Sequence, residues 1–165
     1  MRDVKVKLPD GLTVDSIFDK YCNTVYRLAF ARTKNTYDAD DILQTVFVKL
    51  CGTDTQFRDE EHIKAWLIRV TVNTSKNLLT SAWMRLTDGM DDNLSTEMQE
   101  KSEVYYAVMK LPTKYRTVVH LHYYEGYTAA QIARLLSSKE ATVKTQLRRA
   151  REKLEKELKG EIFGV

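Results

Sequence analysis

Proline and glycine are the scarce residues of this chain, two and six among 165. A fold of many short strands needs more turn-formers than that, so long helices are the expected architecture. Cysteine is nearly absent as well. Cys22 and Cys51 lack metal-ligand spacing and sit in helical patterns, which makes them buried free thiols. His62, His120 and His122 form no recognisable metal set and have no paired nucleophile, and no glycine loop could cradle a phosphate. An enzyme is therefore not expected, and neither a cofactor nor a metal is called for. No apolar run approaches about 18 residues and no signal peptide opens the chain. A cytoplasmic protein without membrane insertion is the expectation.

The composition, 43% hydrophobic and 30% charged, is too apolar for wholesale disorder and fits a soluble globular chain. A formal net charge of +3 is too small to mark a nucleic-acid binder. Only the distribution of charge can make that argument.

Residues 1–13 alternate charge with valine, reach a turn at Pro9-Asp10-Gly11, and read as a loose arm. From Val14 to Thr33, Ile17, Phe18, Tyr21, Val25, Leu28 and Ala29 recur at threes and fours, the spacing of an amphipathic helix. Asn35 to Tyr37 should break it. A second helix is expected over Asp38 to Leu50, with Asp38 as its cap and Ala39, Ile42, Leu43, Val46 and Leu50 inward. Phe47 lies at the edge, and Asp40, Asp41, Gln44 and Val48 point outward. The carboxylates can simply oppose the helix dipole, or they can belong to a partner surface. After a polar loop whose one large apolar residue is Phe57, a long helix runs from His62 to Met84. Its expected inner stripe is Ile63, Trp66, Leu67, Val70, Asn73 or Thr74, and Leu78, with Trp83 a further candidate, and Lys64, Arg69, Lys76 and Arg85 make it cationic.

From residue 87 to 102 the chain turns acidic and poor in large apolar side chains, as in a flexible linker. An all-α fold of two small helical modules, 1–86 and 103–165, joined by that linker, is the expectation. In the second module, Val104 to Lys110 resumes helix, Leu111-Pro112 stops it, and Thr113 to Tyr124 forms another. Glu125 to Leu154 then reads as helix, turn and helix. Thr128 and Gln131 have capping-box spacing, and Ser137-Ser138 breaks the first helix. The second helix has an apolar stripe at Val143, Leu147, Ala150, Leu154 and Leu158. Thr142, Lys144, Thr145, Arg148, Arg149 and Arg151 lie off that stripe. A helix pinned on one face and cationic on the other suits a DNA major groove, although a solvated surface helix would look the same.

Taken together, these residues resemble the extracytoplasmic-function class of bacterial sigma factors. The likeness rests on Asp41-Ile-Leu-Gln44-Thr-Val-Phe47 and on Trp66-Leu67-Ile-Arg69-Val70-Thr-Val-Asn73 in the first module. In the second it rests on Leu111-Pro112, Tyr115-Arg116, Tyr124-Glu125-Gly126, Thr142-Val143-Lys144 and Arg149-Ala150-Arg151. The resemblance implies a promoter-specificity subunit that binds core RNA polymerase, double-stranded promoter DNA and the single-stranded −10 region. It implies polymerase docking through Asp41, Gln44 and Phe47, and −10 contacts from Phe57, Arg69, Asn73 and Lys76. For the −35 element it implies Thr142, Lys144, Thr145, Arg148, Arg149 and Arg151. An anti-sigma factor is an expected partner, and the free chain is expected to be a monomer.

Some positions depart from the family pattern, among them Ser75-Lys76-Asn77-Leu78-Leu79 in place of its Asp-Leu-Leu-Arg after the asparagine, so the −10 sequence preference does not carry over. Ser137-Ser138 replaces its glycine and aliphatic residue, and Lys139 stands where a small capping residue is usual. The helix cap is then expected to move back to Ser138 or Ser137, with Glu140 closing a box from Ser137. The rival reading is a helix-turn-helix regulator that is not a polymerase subunit. Such a regulator would need an α/β receiver or ligand domain, and residues 1–85 show no alternating strands. A helical protein that sequesters a partner is a third possibility.

Overall fold

The computed structural model describes residues 4–84 and 102–162, and side chains over 4–80 and 102–160. The chain divides into two units, Met1–Met90 and Asp91–Val165. All of the predicted acidic linker except Ser102 lies outside the described residues, as do the side chains of Trp83 and Arg85. Every regular element described is helical; an isolated parallel bridge between Lys7 and Gln56 is the one extended pairing.

The first unit packs α1 (Val14–Thr33), α2 (Thr36–Gly52) and α3 (Glu60–Met84) on one another. Thr13 and Ser16 close a reciprocal capping box at the start of α1, which satisfies two of its orphan amides. Lys34, in the left-handed region at φ 55°, ends that helix with its N–H on the Phe30 carbonyl. The next helix starts earlier than expected. Asn35, not Asp38, is the cap, and its side-chain oxygen accepts from the Asp38 N–H at 3.0 Å. Ile17, Val25, Leu28, Ile42, Val46, Leu50, Ile63, Leu67, Ile68 and Val72 are buried at the centre. Phe18, expected inside, is 40% exposed.

The inner face of α3 is rotated from the expected stripe. Thr71 and Ser75 are buried on it, whereas Trp66 and Val70 are only half-buried and Asn73 is exposed. The two hydroxyls tolerate burial because they donate to carbonyls of their own helix, Thr71 to Leu67 at 2.6 Å and Ser75 to Val72 at 2.7 Å. Ser75 also accepts from Nε of buried Arg32, which ties α1 to α3. Burial of the guanidinium lowers the Arg32 pKa to about 10.

The second unit comprises α4 (Glu103–Met109), α5 (Thr113–Val119), α6 (Ala129–Leu135) and α7 (Glu140–Ile162). Ser102 caps α4, and Pro112 separates α4 from α5. The helix of α5 continues through one π turn, His120–Tyr124, in which the Glu125 N–H bonds the His120 carbonyl. Val108, Leu111, Tyr115, Val119 and Ala150 form one cluster, with Leu154 packed against it. Arg116 is buried beneath it, donating to the Leu111 carbonyl at 2.6 Å and to Thr113 at 3.1 Å.

The connection between α6 and α7 differs from the expected one. Ser137 takes φ 52°, and the Ser138 N–H reaches back to the Ala133 carbonyl at 2.8 Å, closing α6 in a Schellman arrangement. Ser137 is thus spent on ending α6. The first amide bond of α7 runs from Val143 to the Lys139 carbonyl, so Lys139 occupies the cap position, and Glu140 pairs with Lys144 instead of boxing with Ser137. A serine in the left-handed region carries steric strain that glycine avoids. Ser137→Gly should therefore stabilise this unit by about 0.5–1 kcal/mol. Thermal unfolding of the variant measures it, and a lower melting temperature would show that the turn does not strain its serine.

Candidate nucleic-acid interface

The helix-turn-helix is built by packing before it carries any charge. The Thr128 hydroxyl accepts from the Gln131 N–H at 3.2 Å, and the Gln131 side chain accepts from the Thr128 N–H at 2.9 Å, so the predicted capping box is present. Ile132, Ala133 and Leu135 bury the inner face of α6. Val143, Leu147 and Ala150 are buried along α7 and Leu154 is half-buried, as the apolar spacing requires.

Thr142, Lys144, Arg148, Arg149 and Arg151 are exposed on α7. Their situations differ. Lys144 pairs with Glu140 one turn earlier at 3.2 Å, an exposed pair of small energetic weight. Thr145 is half-buried, and its hydroxyl donates to the Ala141 carbonyl at 2.9 Å, which leaves its methyl as the outward group. Arg151 donates from Nε to the Tyr123 hydroxyl at 2.6 Å and lies 5.8 Å from that ring's centre. Arg148 and Arg149 engage no group among the described residues. Of these four cations, two are without a partner among the described residues, one is weakly paired, and one is held in a fixed direction.

Tyr123 went unnoticed in the sequence. It sits on the π turn, 55% exposed, with its ring edge-on to His122 at 4.7 Å, and His122 in turn bonds the Tyr127 carbonyl. A π turn changes which residues point outward, and periodicity cannot reveal it. Lys139 is a second cation at the entry to α7 that the sequence reading treated only as a misplaced cap.

In the first unit, Asp41 and Gln44 are exposed on α2. Tyr37 and Val48 are 71% and 51% exposed on the same face, one turn before and one turn after. Phe47 is corrected: it is 7% exposed and packs edge-on against Phe18 at 4.9 Å. The aromatic ring offered at that edge belongs to Phe18, because Phe47 faces the α1–α2 seam.

Arg69, Asn73 and Lys76 are exposed along α3 at spacings of four and three, so they share a face. Phe57 sits where a staple of its loop to Trp66, the alternative to a −10 contact, would put it. It is 4% exposed, wedged edge-on between His62 at 5.1 Å and Trp66 at 5.8 Å. No ring face is open to a base in this conformation; the side chain fastens the loop to α3. The start of α3 is fastened too. The Glu60 carboxylate binds Lys20 and accepts from the Tyr21 hydroxyl at 2.8 Å, and these two hydrogen bonds hold its pKa below the usual range.

Residues 17–85 match the family model for sigma-70 region 2, and residues 101–154 match that for sigma-70 region 4. RNA polymerase sigma factor SigV of Bacillus subtilis is 32% identical over 132 residues, covering 76% of this chain and 78% of that protein. The ECF RNA polymerase sigma factor SigM of Mycobacterium tuberculosis is 29% identical over 150 residues, 88% of this chain and 76% of that one. SigW of Bacillus subtilis, also an ECF sigma factor, is 26% identical over 175 residues, 94% of each chain. Among solved structures, the sigma factor RpoE in complex with the anti-sigma factor NepR from Bartonella quintana aligns with a TM-score of 0.73 at 17% identity. That alignment covers 88% of this chain and 96% of the other, a likeness of fold. With both regions present in order and relatives matched over most of their length, the chain belongs to the extracytoplasmic-function class of RNA polymerase sigma factors.

Proposed function

We propose that this sigma factor docks on core polymerase through the Tyr37, Asp41, Gln44 and Val48 face of α2, and reads promoter DNA with α3 and α7. The observation that carries the reading is α7 itself. Val143, Leu147 and Ala150 are buried along its apolar stripe, while Arg148 and Arg149 are exposed and engage no group among the described residues. On a merely solvated helix, i to i+4 partners would be the rule; here Lys144 has one and the two arginines do not. Arg69, Asn73 and Lys76 supply the −10 face, with Asn73 able to donate and accept at a base edge. Phe57 contributes by holding its loop and not by stacking. The work is binding and positioning, with the chemistry left to the polymerase, and its place is the cytoplasm. An anti-sigma factor is the natural inhibitor for the exposed Tyr37 and Val48 face, and the free chain is a monomer.

Within α7, Arg148 reaches base edges, with Lys144 beside it and the Thr145 methyl packing against a base. Arg149 and Arg151 hold phosphates, as does the hydroxyl of Thr142. Arg148→Ala should cost about 1–3 kcal/mol and relax preference at one or two −35 positions. Arg151→Ala should weaken every sequence alike and lower the salt slope by roughly one unit. Holoenzyme binding to a library of −35 variants at two salt concentrations measures both. A uniform loss from both variants would remove direct readout by Arg148, and no change from either would make this face a solvated surface.

A further inference from the structure

The amino-terminal arm, read from sequence as loose and lying ahead of the residues matched to region 2, is pinned at two points. The Lys5 N–H donates to the Cys51 carbonyl at 2.9 Å, and the Phe57 N–H donates to the Lys7 carbonyl at 3.2 Å. Cys51 lies in the last turn of α2, where carbonyls have no intrahelical donor, so the arm satisfies one of them. Phe57 lies six residues further on, in the loop that leads to α3. The arm therefore bonds the loop at its root and near its far end. Two residues of extended chain between those bonds fix their separation at about 6–7 Å.

The arm is held in turn by its apolar side. Val6 and Leu8 are half-buried and line a groove with Leu12, Val14 and Cys51, while Lys5 and Lys7 stay exposed. Within the loop, Thr53 and Thr55 bond each other at 2.8 Å, and the Arg58 N–H donates to Nδ1 of His62 at 3.2 Å. Asp59 accepts from the His62 N–H at 2.8 Å. Among the described residues, these bonds tie the loop to itself and to α3, and the arm adds a tie from outside both helices.

We infer that residues 4–8 are a positioning element for promoter opening: a strap whose backbone holds the Thr53–Asp59 loop in register with the Arg69, Asn73 and Lys76 face. The inference rests on the −10 role proposed for that face. The strap acts through its main chain and its apolar seat, so the two lysines are bystanders. Loss of the strap should free the Phe57 amide and loosen the loop while α1, α2 and α3 stay packed, because none of their buried residues belongs to the arm.

The test compares three full-length holoenzymes: the natural chain, a deletion of residues 1–8, and the double variant Lys5→Ala, Lys7→Ala. Open-complex formation is followed on a cognate promoter and on −10 variants, with core affinity measured alongside. In the free proteins, amide exchange reports on residues 53–58. The deletion should bind core normally, exchange faster over the loop alone, and lose discrimination among −10 variants by roughly tenfold or more. The double alanine variant should behave as the natural chain. Unchanged discrimination in the deletion would overturn the proposal, and faster opening would make the arm an inhibitory cover instead. Loss in the double variant equal to that in the deletion would replace the strap with a simple cationic contact. If the natural chain itself fails to open any promoter with core polymerase, the −10 reading falls and not the strap alone.

Discussion

Asp41→Arg is expected to weaken association with core RNA polymerase by about 2–5 kcal/mol, thirtyfold or more, and to leave the first unit folded. The local structure removes the rival account in which Asp41 serves its own helix. Asn35 caps α2 and Asp38 occupies its first turn, so the positive end of the dipole is already met. Asp41 lies beyond that turn, where the dipole interaction has faded. It is exposed, with Tyr37 one turn before it and Gln44 one turn after, on a face of α2 turned away from α1 and α3. Reversal of its charge leaves packing untouched and places a cation where an interface expects an anion. Titration of core polymerase without DNA should show the loss, and the melting temperature of the free protein should barely move. A variant that melts early but binds with full affinity in its folded fraction would return Asp41 to a structural role.

The helices were legible where apolar spacing is regular and caps are local. Val143, Leu147 and Ala150 are buried as their spacing dictates, and the Thr128–Gln131 box closes as written. Legibility failed where polar atoms solve their own burial. Thr71 and Ser75 look like surface residues in sequence, yet each satisfies its hydroxyl within α3, so the inward face is rotated from the apolar count. Phe18 and Phe47 exchanged their expected places for a related reason. Both are large and apolar, and only tertiary packing decides which ring fills the seam and which covers it.

The candidate site divides in the same way. The cationic arc of α7 follows from helical geometry alone, but which cations are free does not. Tyr123 captures Arg151 from a neighbouring element across 28 positions, and no local pattern announces such a bond. The arm shows the limit most clearly. Alternating valine and lysine over a few residues reads as loose chain until the carbonyl of Cys51 and the amide of Phe57 are seen to need partners. Backbone groups demand hydrogen bonds that side-chain sequence does not display.

Phe57→Ala should destabilise the first unit by about 3 kcal/mol and slow promoter opening to a similar degree. The ring is buried against His62 and Trp66, and its removal leaves a hole between the loop and α3. The loop then loses the side-chain anchor that complements the amide bond to Lys7. Phe57→Leu separates anchoring from stacking. Leucine restores most of the buried apolar volume and loses only the aromatic edge contacts, a cost of about 1 kcal/mol. If Phe57 works as a staple, the leucine variant should open promoters nearly as well as the natural chain. If the ring itself stacks on an unpaired base, leucine should fail in opening while keeping its stability. Thermal unfolding and open-complex kinetics on the same three proteins decide it: loss of opening with an unchanged melting temperature would put the ring back in contact with DNA.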